Sequence, residues 1–312
     1  IIKAGKVAIN NAAALGVNTH VELNANATLS VNVALEANQQ PSTITLNKNI
    51  ALKGANGSQV TLSATGANVV LDGMLSNDAN TVGIIKEGMG TLELSGTNTN
   101  YKGKTTIKEG NLAISEAKNL GGKVLVELAG GGLTLLKDMT IGGGASTDSI
   151  DITGARGAIN TATSSTLEVA FKGQGLFVKE GEGQLTLSGT NTEFTGGVSI
   201  DKGTLTITKD DSLGKKDTNV ILNGGTLQTD GVTTLNRDVQ LNQDSTIKNI
   251  GASTVGLNRL QGNYAVTLEG GGFNLKAKID ETTDPDTVVN VNQHNGTILK
   301  NTNVIIGNDA DL

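Results

Sequence analysis

Two neighbouring carboxylates, Asp210 and Asp211, with Arg237 and His294 further along the chain, are the residues best equipped for acid–base chemistry. Such a pair cleaves a glycosidic bond when one member is held protonated and the other ionised across the scissile linkage. Asp210-Asp211, however, stands just before Leu213-Gly214, where Ala117-Lys118 stands before Leu120-Gly121. Interchangeable with alanine and lysine, the pair reads as a solvated turn with Arg237 and His294 as distant neighbours. His20 and His294 are the two histidines and there is no cysteine, which rules out the usual Cys/His zinc sets. No serine lies in the Gly-x-Ser-x-Gly setting that would arm a nucleophile. Gly130-Gly131-Gly132, Gly142-Gly143-Gly144 and Gly270-Gly271-Gly272 lack the Gly-Lys-Ser/Thr and following helix of a phosphate loop, so they read as tight corners. Gly142 to Asp151 has the glycine and aspartate of a calcium-binding nonapeptide without its tandem repetition. The expectation is a protein that is not an enzyme, with no catalytic, cofactor or metal site.

What would position any functional side chain is a repeat. Ile85 to Tyr101 returns nearly letter for letter as Val178 to Phe194, 93 positions later, and the match continues from Gly103–Gly121 to Gly196–Gly214. A half copy opens the chain: Ile2-Lys3-Ala4-Gly5 matches Ile107-Lys108-Glu109-Gly110, and Leu15-Gly16 falls where Leu120-Gly121 does. Leu46-Asn47-Lys48-Asn49-Ile50 resembles Leu235-Asn236-Arg237-Asp238-Val239. The chain therefore reads as one continuous body, 1–312, with sequence modules of about 1–83, 84–176 and 177–279 and a divergent end, 280–312.

Within a module, Leu92 and Leu94 alternate with polar residues, the period of a strand with one buried face. Twenty residues on, Leu112 and Ile114 repeat the pair; Leu185 and Leu187 are followed by Leu205 and Ile207 at the same spacing, and Ile107 and Ile200 mark further inward strands. A recurring pair at constant spacing stacks strand above strand, which is an all-β parallel β-helix. At roughly 20–25 residues per coil the chain makes roughly 12–16 coils, stacked about 4.8 Å apart. Gly88, Gly90, Gly96, Gly103 and Gly110, each matched by glycine in the second copy, fall at strand ends where positive φ is expected.

Composition fits. Glycine reaches 42, aromatics are 2% and tryptophan is absent, so small aliphatic layers must fill the interior. The alternating 37% hydrophobic share argues against disorder. A net charge of −6 disfavours nucleic acid, and the lysines read as scattered over exposed strand positions. No apolar stretch approaches the roughly 18 residues of a membrane-spanning helix. The missing cysteines suit a protein that crosses a membrane unfolded. The opening at Ile1 reads as an internal cut from a longer protein.

Gly183, Leu185, Leu187, Ser188, Gly189, Asn191, Phe194, Gly196, Ile200, Gly203 and Leu205 follow the order G-x-L-x-L-S-G-x-N-x-Y/F-x-G-x-x-x-I-x-x-G-x-L. That order resembles the passenger-associated transport repeat of bacterial autotransporters. Gly90 to Leu112 follows it too, with Lys102-Gly103-Lys104 where Thr-Gly-Gly is usual. The resemblance implies a right-handed β-helix exported through the outer membrane of a Gram-negative bacterium, located outside the cell or on its surface. It implies a C-terminal translocator β-barrel outside this fragment, since barrel strands with aromatic girdles need more aromatics than this chain has. The repeat itself is expected to assist secretion.

Two segments break the strand pattern and read as projecting loops where contacts would concentrate. They are Ala145 to Ser165, and Asp280 to Gln293, which carries Asp280, Glu281, Asp284 and Asp286 around Pro285. The functional expectation is a non-enzymatic virulence factor, an adhesin whose partner is a host-cell surface receptor or extracellular matrix. The alternative is a released effector acting as a ligand of a host-cell receptor, of mitogenic or angiogenic type. A polysaccharide-active enzyme ranks third, because the Asn-Thr-Asp, Gly-His-Gly and Arg-x-Lys signatures of β-helical glycoside hydrolases are missing.

Overall fold

A computed structural model describes residues 1–312 except 18–19, 35–38, 79, 144–146, 217, 263, 277–297, 301–303 and 308–312, with backbone alone at 259, 274–276, 298–300 and 304–307. The chain divides into two compact units, Ile1–Asn160 and Thr161–Leu312. Each is a parallel β-solenoid, and together they contain about 12 turns.

In the first unit one face stacks Gly5–Ile9, Ala27–Asn32, Gln59–Thr65, Gly83–Glu87, Thr105–Ile107, Leu125–Leu128 and Ser149–Ile152. A second stacks Ser42–Leu46, Ala67–Leu71, Thr91–Leu94, Asn111–Ile114 and Gly132–Leu135, and a short third joins His20–Asn24, Asn49–Lys53 and Leu75–Asn77. The second unit stacks Leu176–Glu180, Val198–Ile200, Val220–Leu222, Thr234–Leu241 and Val255–Gln261 on one face. On another it stacks Ser165–Leu167, Gln184–Leu187, Thr204–Ile207, Thr226–Thr229, Ser245–Asn249 and Val266–Gly270.

The apolar pairs set this register. Val69, Leu92, Leu112 and Leu133 lie in one column, and Leu71, Leu94, Ile114 and Leu135 in the next. In the second unit Leu185, Leu205, Leu227, Ile247 and Leu268 form a column of their own. All are buried, and each contributes about 1.5–3 kcal/mol of transfer energy. A register slip of one residue would turn every such side chain to water.

The Leu-Gly echo also has a structural meaning. Ala12–Leu15, Ala117–Leu120 and Asp210–Leu213 are short 3-10 turns, each ended by a glycine at positive φ: Gly16 (72°), Gly121 (106°) and Gly214 (99°). The other repeat glycines divide into two kinds. Gly88 and Gly110 take positive φ (79° and 59°), as their counterparts Gly181 and Gly203 do. Gly90, Gly96 and Gly103 do not, which corrects the expectation for them. A Cβ on Gly103 would lie 2.1 Å from the Val82 carbonyl oxygen, and one on Gly196 would lie 2.0 Å from that of Gly175. Close approach of the coil below, not backbone conformation, requires glycine there.

The loop expected from Ala145 to Ser165 is corrected as well. Ser149–Ile152 and Arg156–Thr161 are strands and Ser165 begins another. Ile150 and Ile152 stack on Val126 and Leu128. Small polar residues conceal the pattern because several of them, including Thr161 and Ser165, point inward and are buried. The Asp280–Gln293 segment, with Asp280, Glu281, Asp284, Pro285 and Asp286, lies outside the described residues.

Candidate functional site

The acid–base candidates separate. His294 lies outside the described residues, and His20 is an exposed residue opening a strand. Asp210 and Arg237, distant in sequence, are brought together by stacking. Arg237 Nε donates to Asp210 Oδ1 at 3.0 Å, with the arginine side chain fully buried and the aspartate 11% exposed. The guanidinium also donates to Thr218 Oγ1 (2.7 Å) and to the carbonyls of Asp210 (3.1 Å) and Gly214 (3.2 Å). The solvated-turn reading is thus corrected for Asp210: the ion pair clamps the 3-10 turn from the coil above. Asp211 contributes its carbonyl, which accepts from the Asn191 N–H at 3.0 Å. In the first unit Lys48, buried at the position matching Arg237, donates to the carbonyl of Gly16 at 2.8 Å. The Lys48/Arg237 resemblance in sequence is therefore one clamp made twice, each on the glycine that ends a 3-10 turn.

The glycine triplets sit at corners, with positive φ at Gly130, Gly142, Gly143 and Gly270; Gly144 and its neighbours 145–146 lie outside the described residues. Asp148 accepts from the Val124 N–H at 3.1 Å. Among the described residues no group of three or more His, Asp or Glu is placed to hold a metal ion.

The repeat residues able to do chemistry turn inward. Lys86 and Lys179 are fully buried, which corrects their reading as exposed. Lys86 Nζ donates to the carbonyls of Glu87 (3.1 Å), Gly88 (2.7 Å) and Glu109 (3.0 Å). Lys179 Nζ reproduces this on Glu180 (2.8 Å), Gly181 (2.8 Å) and Lys202 (3.2 Å). Two carbonyls belong to the lysine's own corner and the third to the next coil. Burial pulls both ammonium groups down from 10.5 to about 8, against the charges of Glu109 and Glu87 for Lys86 and of Glu182 and Glu180 for Lys179. Residue parity carried this signal, since Ile84 and Phe177, two positions earlier, are buried too.

The asparagines of the repeat bridge three coils. Asn191 Oδ1 accepts from the Phe171 N–H at 2.8 Å while its Nδ2 donates to the Ser212 carbonyl at 2.5 Å. Asn98 does the same between the Leu75 N–H and the Asn119 carbonyl, both at 2.7 Å. Tyr101 is buried, accepts from the Ile84 N–H (3.1 Å) and donates to the Lys104 carbonyl (2.9 Å). Phe194, its counterpart, packs edge-on against Phe171 at 6.2 Å.

What remains for recognition is the outer surface. On the first unit Thr28, Thr61, Ile85, Thr106, Glu127 and Asp151 make one outward column. Thr106 and Thr153 donate to Glu127 at 3.1 and 2.8 Å, and Lys104 pairs with it at 2.5 Å. Burial alone would raise Glu127, yet the bonds from Lys104 and Thr153 hold its carboxyl below the usual range. The second unit presents two columns on one face. Gln184, Thr204, Thr226, Thr246 and Thr267 form the first. Thr166, Thr186, Thr206, Gln228, Lys248 and Glu269 form the other, in which Thr206 and Gln228 are buried and bonded to each other at 3.1 Å. Lys248 and Glu269 neutralise each other at 3.2 Å.

Residues 84–114 and 177–207 match the family described as passenger-associated-transport-repeat. The Adhesin BmaC autotransporter of Brucella suis biovar 1 (strain 1330) is 36% identical over 165 residues, 51% of this chain. The chain spans 5% of the length of that relative. No solved structure matches. Among the described residues no helix is long and apolar enough to cross a membrane.

Proposed function

We infer that this chain, an autotransporter passenger segment built on passenger-associated transport repeats and located outside the cell or at its surface, acts as a non-enzymatic adhesin toward host-cell or matrix molecules. The observation that carries the reading is the fate of the repeat residues. Lysine, asparagine and aromatic side chains that carry chemistry elsewhere are consumed in holding coil to coil, which leaves long outer faces as the surface for a partner. Such faces suit multivalent, extended contact. The similarity to a protein described as an adhesin supports the same reading.

The test is adhesion of cultured mammalian cells and of purified matrix proteins to surfaces coated with the chain. Saturable attachment, competed by soluble chain, is expected. Attachment no greater than to an albumin coat contradicts the adhesin reading, and a signalling response to soluble chain alone would favour a released ligand.

A further inference from the structure

The threonine column of the second unit has a chemistry of its own. Thr204, Thr226, Thr246 and Thr267 are in register on successive coils, about 4.8 Å apart by strand spacing. The neighbouring column, with Thr186 and Thr206, lies two residues further along each strand, roughly 6.6 Å away. Thr206 and Gln228 of that neighbour are buried and bonded to each other at 3.1 Å, so the half-buried threonine column supplies the repeating hydroxyls, on β-branched side chains with restricted χ1. Among the described side chains the threonine column carries no ionisable residue; on its neighbour Lys248 pairs with Glu269, and Lys300 follows Glu269 in register.

One further residue belongs to this picture. Tyr101, Phe171, Phe177, Phe194 and Phe273 are all buried, whereas Tyr264 is 52% exposed, three positions before Thr267. Burial does not account for an aromatic ring left in water beside this array.

We propose that this face binds a neutral polysaccharide strand, laid along the threonine column and stacked at one end on Tyr264. The inference rests on the adhesin reading and names its partner class. Each hydroxyl donates and accepts, as sugar hydroxyls do. A threonine column without charge favours an uncharged ligand over nucleic acid or an anionic glycan, which require clustered cations. Protein partners are held by buried aromatic and arginine anchors, and the columns supply none. A ligand that repeats at regular intervals matches a surface that repeats at every coil, and many weak contacts on one chain add by multivalency.

The experiment is affinity electrophoresis of the full chain through gels containing neutral β-glucan, mannan or galactan, with hyaluronan as the anionic comparison. Thr226→Val/Thr246→Val/Thr267→Val keeps the β-branched shape and removes three hydroxyls, and Tyr264→Ala removes the ring. Circular dichroism confirms that both variants fold. Retardation by at least one neutral polysaccharide is expected, with affinity lower by about tenfold or more in the triple variant, the loss expected when several hydrogen bonds go together. Unchanged affinity in both folded variants, or preference for hyaluronan, overturns the proposal. Self-association of the chain that disappears in the triple variant would also overturn it, by making the face a contact between copies. Cell attachment without glycan binding sinks this inference and leaves the adhesin reading standing. Glycan binding without attachment does the reverse.

Discussion

Replacing Lys179 by Met removes one ammonium group and keeps the length of the side chain. Three carbonyls, those of Glu180, Gly181 and Lys202, lose the donor that a fully buried side chain brings to a part-buried corner. An unsatisfied buried polar group costs about 1–3 kcal/mol. Relief from burying a charge offsets part of this, so the net destabilisation is expected at about 2–4 kcal/mol. Because solenoid coils unfold against their neighbours, the effect should be local. Hydrogen exchange should accelerate in Leu176–Glu180 and Val198–Ile200 while Val255–Gln261 is unaffected.

The same variant tests the pH dependence. Lys179 in the folded protein titrates near 8 and in the unfolded chain near 10.5. Between pH 8 and 10 the unfolded chain therefore holds more protons, and stability must rise with pH in that window. The stabilisation is complete only above the unfolded value and is lost as pH falls through about 8. Lys86 adds to the same slope. Thermal unfolding followed from pH 8 to 10 should show a rising midpoint, with a shallower rise in Lys179→Met. A midpoint that falls across this window, or exchange in Leu176–Glu180 unchanged by the substitution, would refute the reasoning.

Arg237→Met leaves Asp210 buried without its cation, and a loss of about 3–5 kcal/mol is expected; limited proteolysis should then cut near the Asp210–Leu213 turn. Gly196→Ala forces a Cβ to within 2.0 Å of the Gly175 carbonyl oxygen, so coils there must separate, and increased dye binding by exposed apolar surface should report it. Tyr101→Phe removes the hydroxyl shared by the Ile84 N–H and the Lys104 carbonyl, while the Ile84 N–H keeps that carbonyl as acceptor at 3.0 Å; the expected cost is about 0.5–1.5 kcal/mol, read as a lowered unfolding midpoint. Burial drives the Tyr101 phenol above its ordinary value of 10.0. Its contribution is therefore present below that value and fades as pH rises beyond it.

Stacking was legible because it is written twice. Leu92, Leu94, Leu112 and Ile114 fix both the strand period and the coil period, and their columns stand as the spacing predicts. Polar residues inside the coil were less legible. Lys86 shares the inward parity of Ile84, but a lysine is normally read as solvated, and the carbonyl cage that keeps it inside exists only after the corner closes. Arg237 and Asp210 are separated by 27 residues and meet only across a coil. The strands from Ser149 to Thr161 were hidden by small polar residues such as Thr161, which is buried although nothing in its sequence context marks it as inward. The threonine columns belong to the outer face and emerge only once register is known.

The central claim is that the repeat builds the interior and leaves recognition to the outer residues. It is tested most directly by single cysteines placed from Lys179 to Ile207, in a chain that has no cysteine of its own. Cysteines at Thr186 and Thr204 should react quickly with a bulky maleimide, while those at Leu185, Asn191, Leu205 and Ile207 stay protected until the chain unfolds. Labelling the outer positions should reduce cell attachment with the circular dichroism spectrum intact. Equal labelling at Asn191 and Thr186, or attachment indifferent to every outer label, would contradict the account.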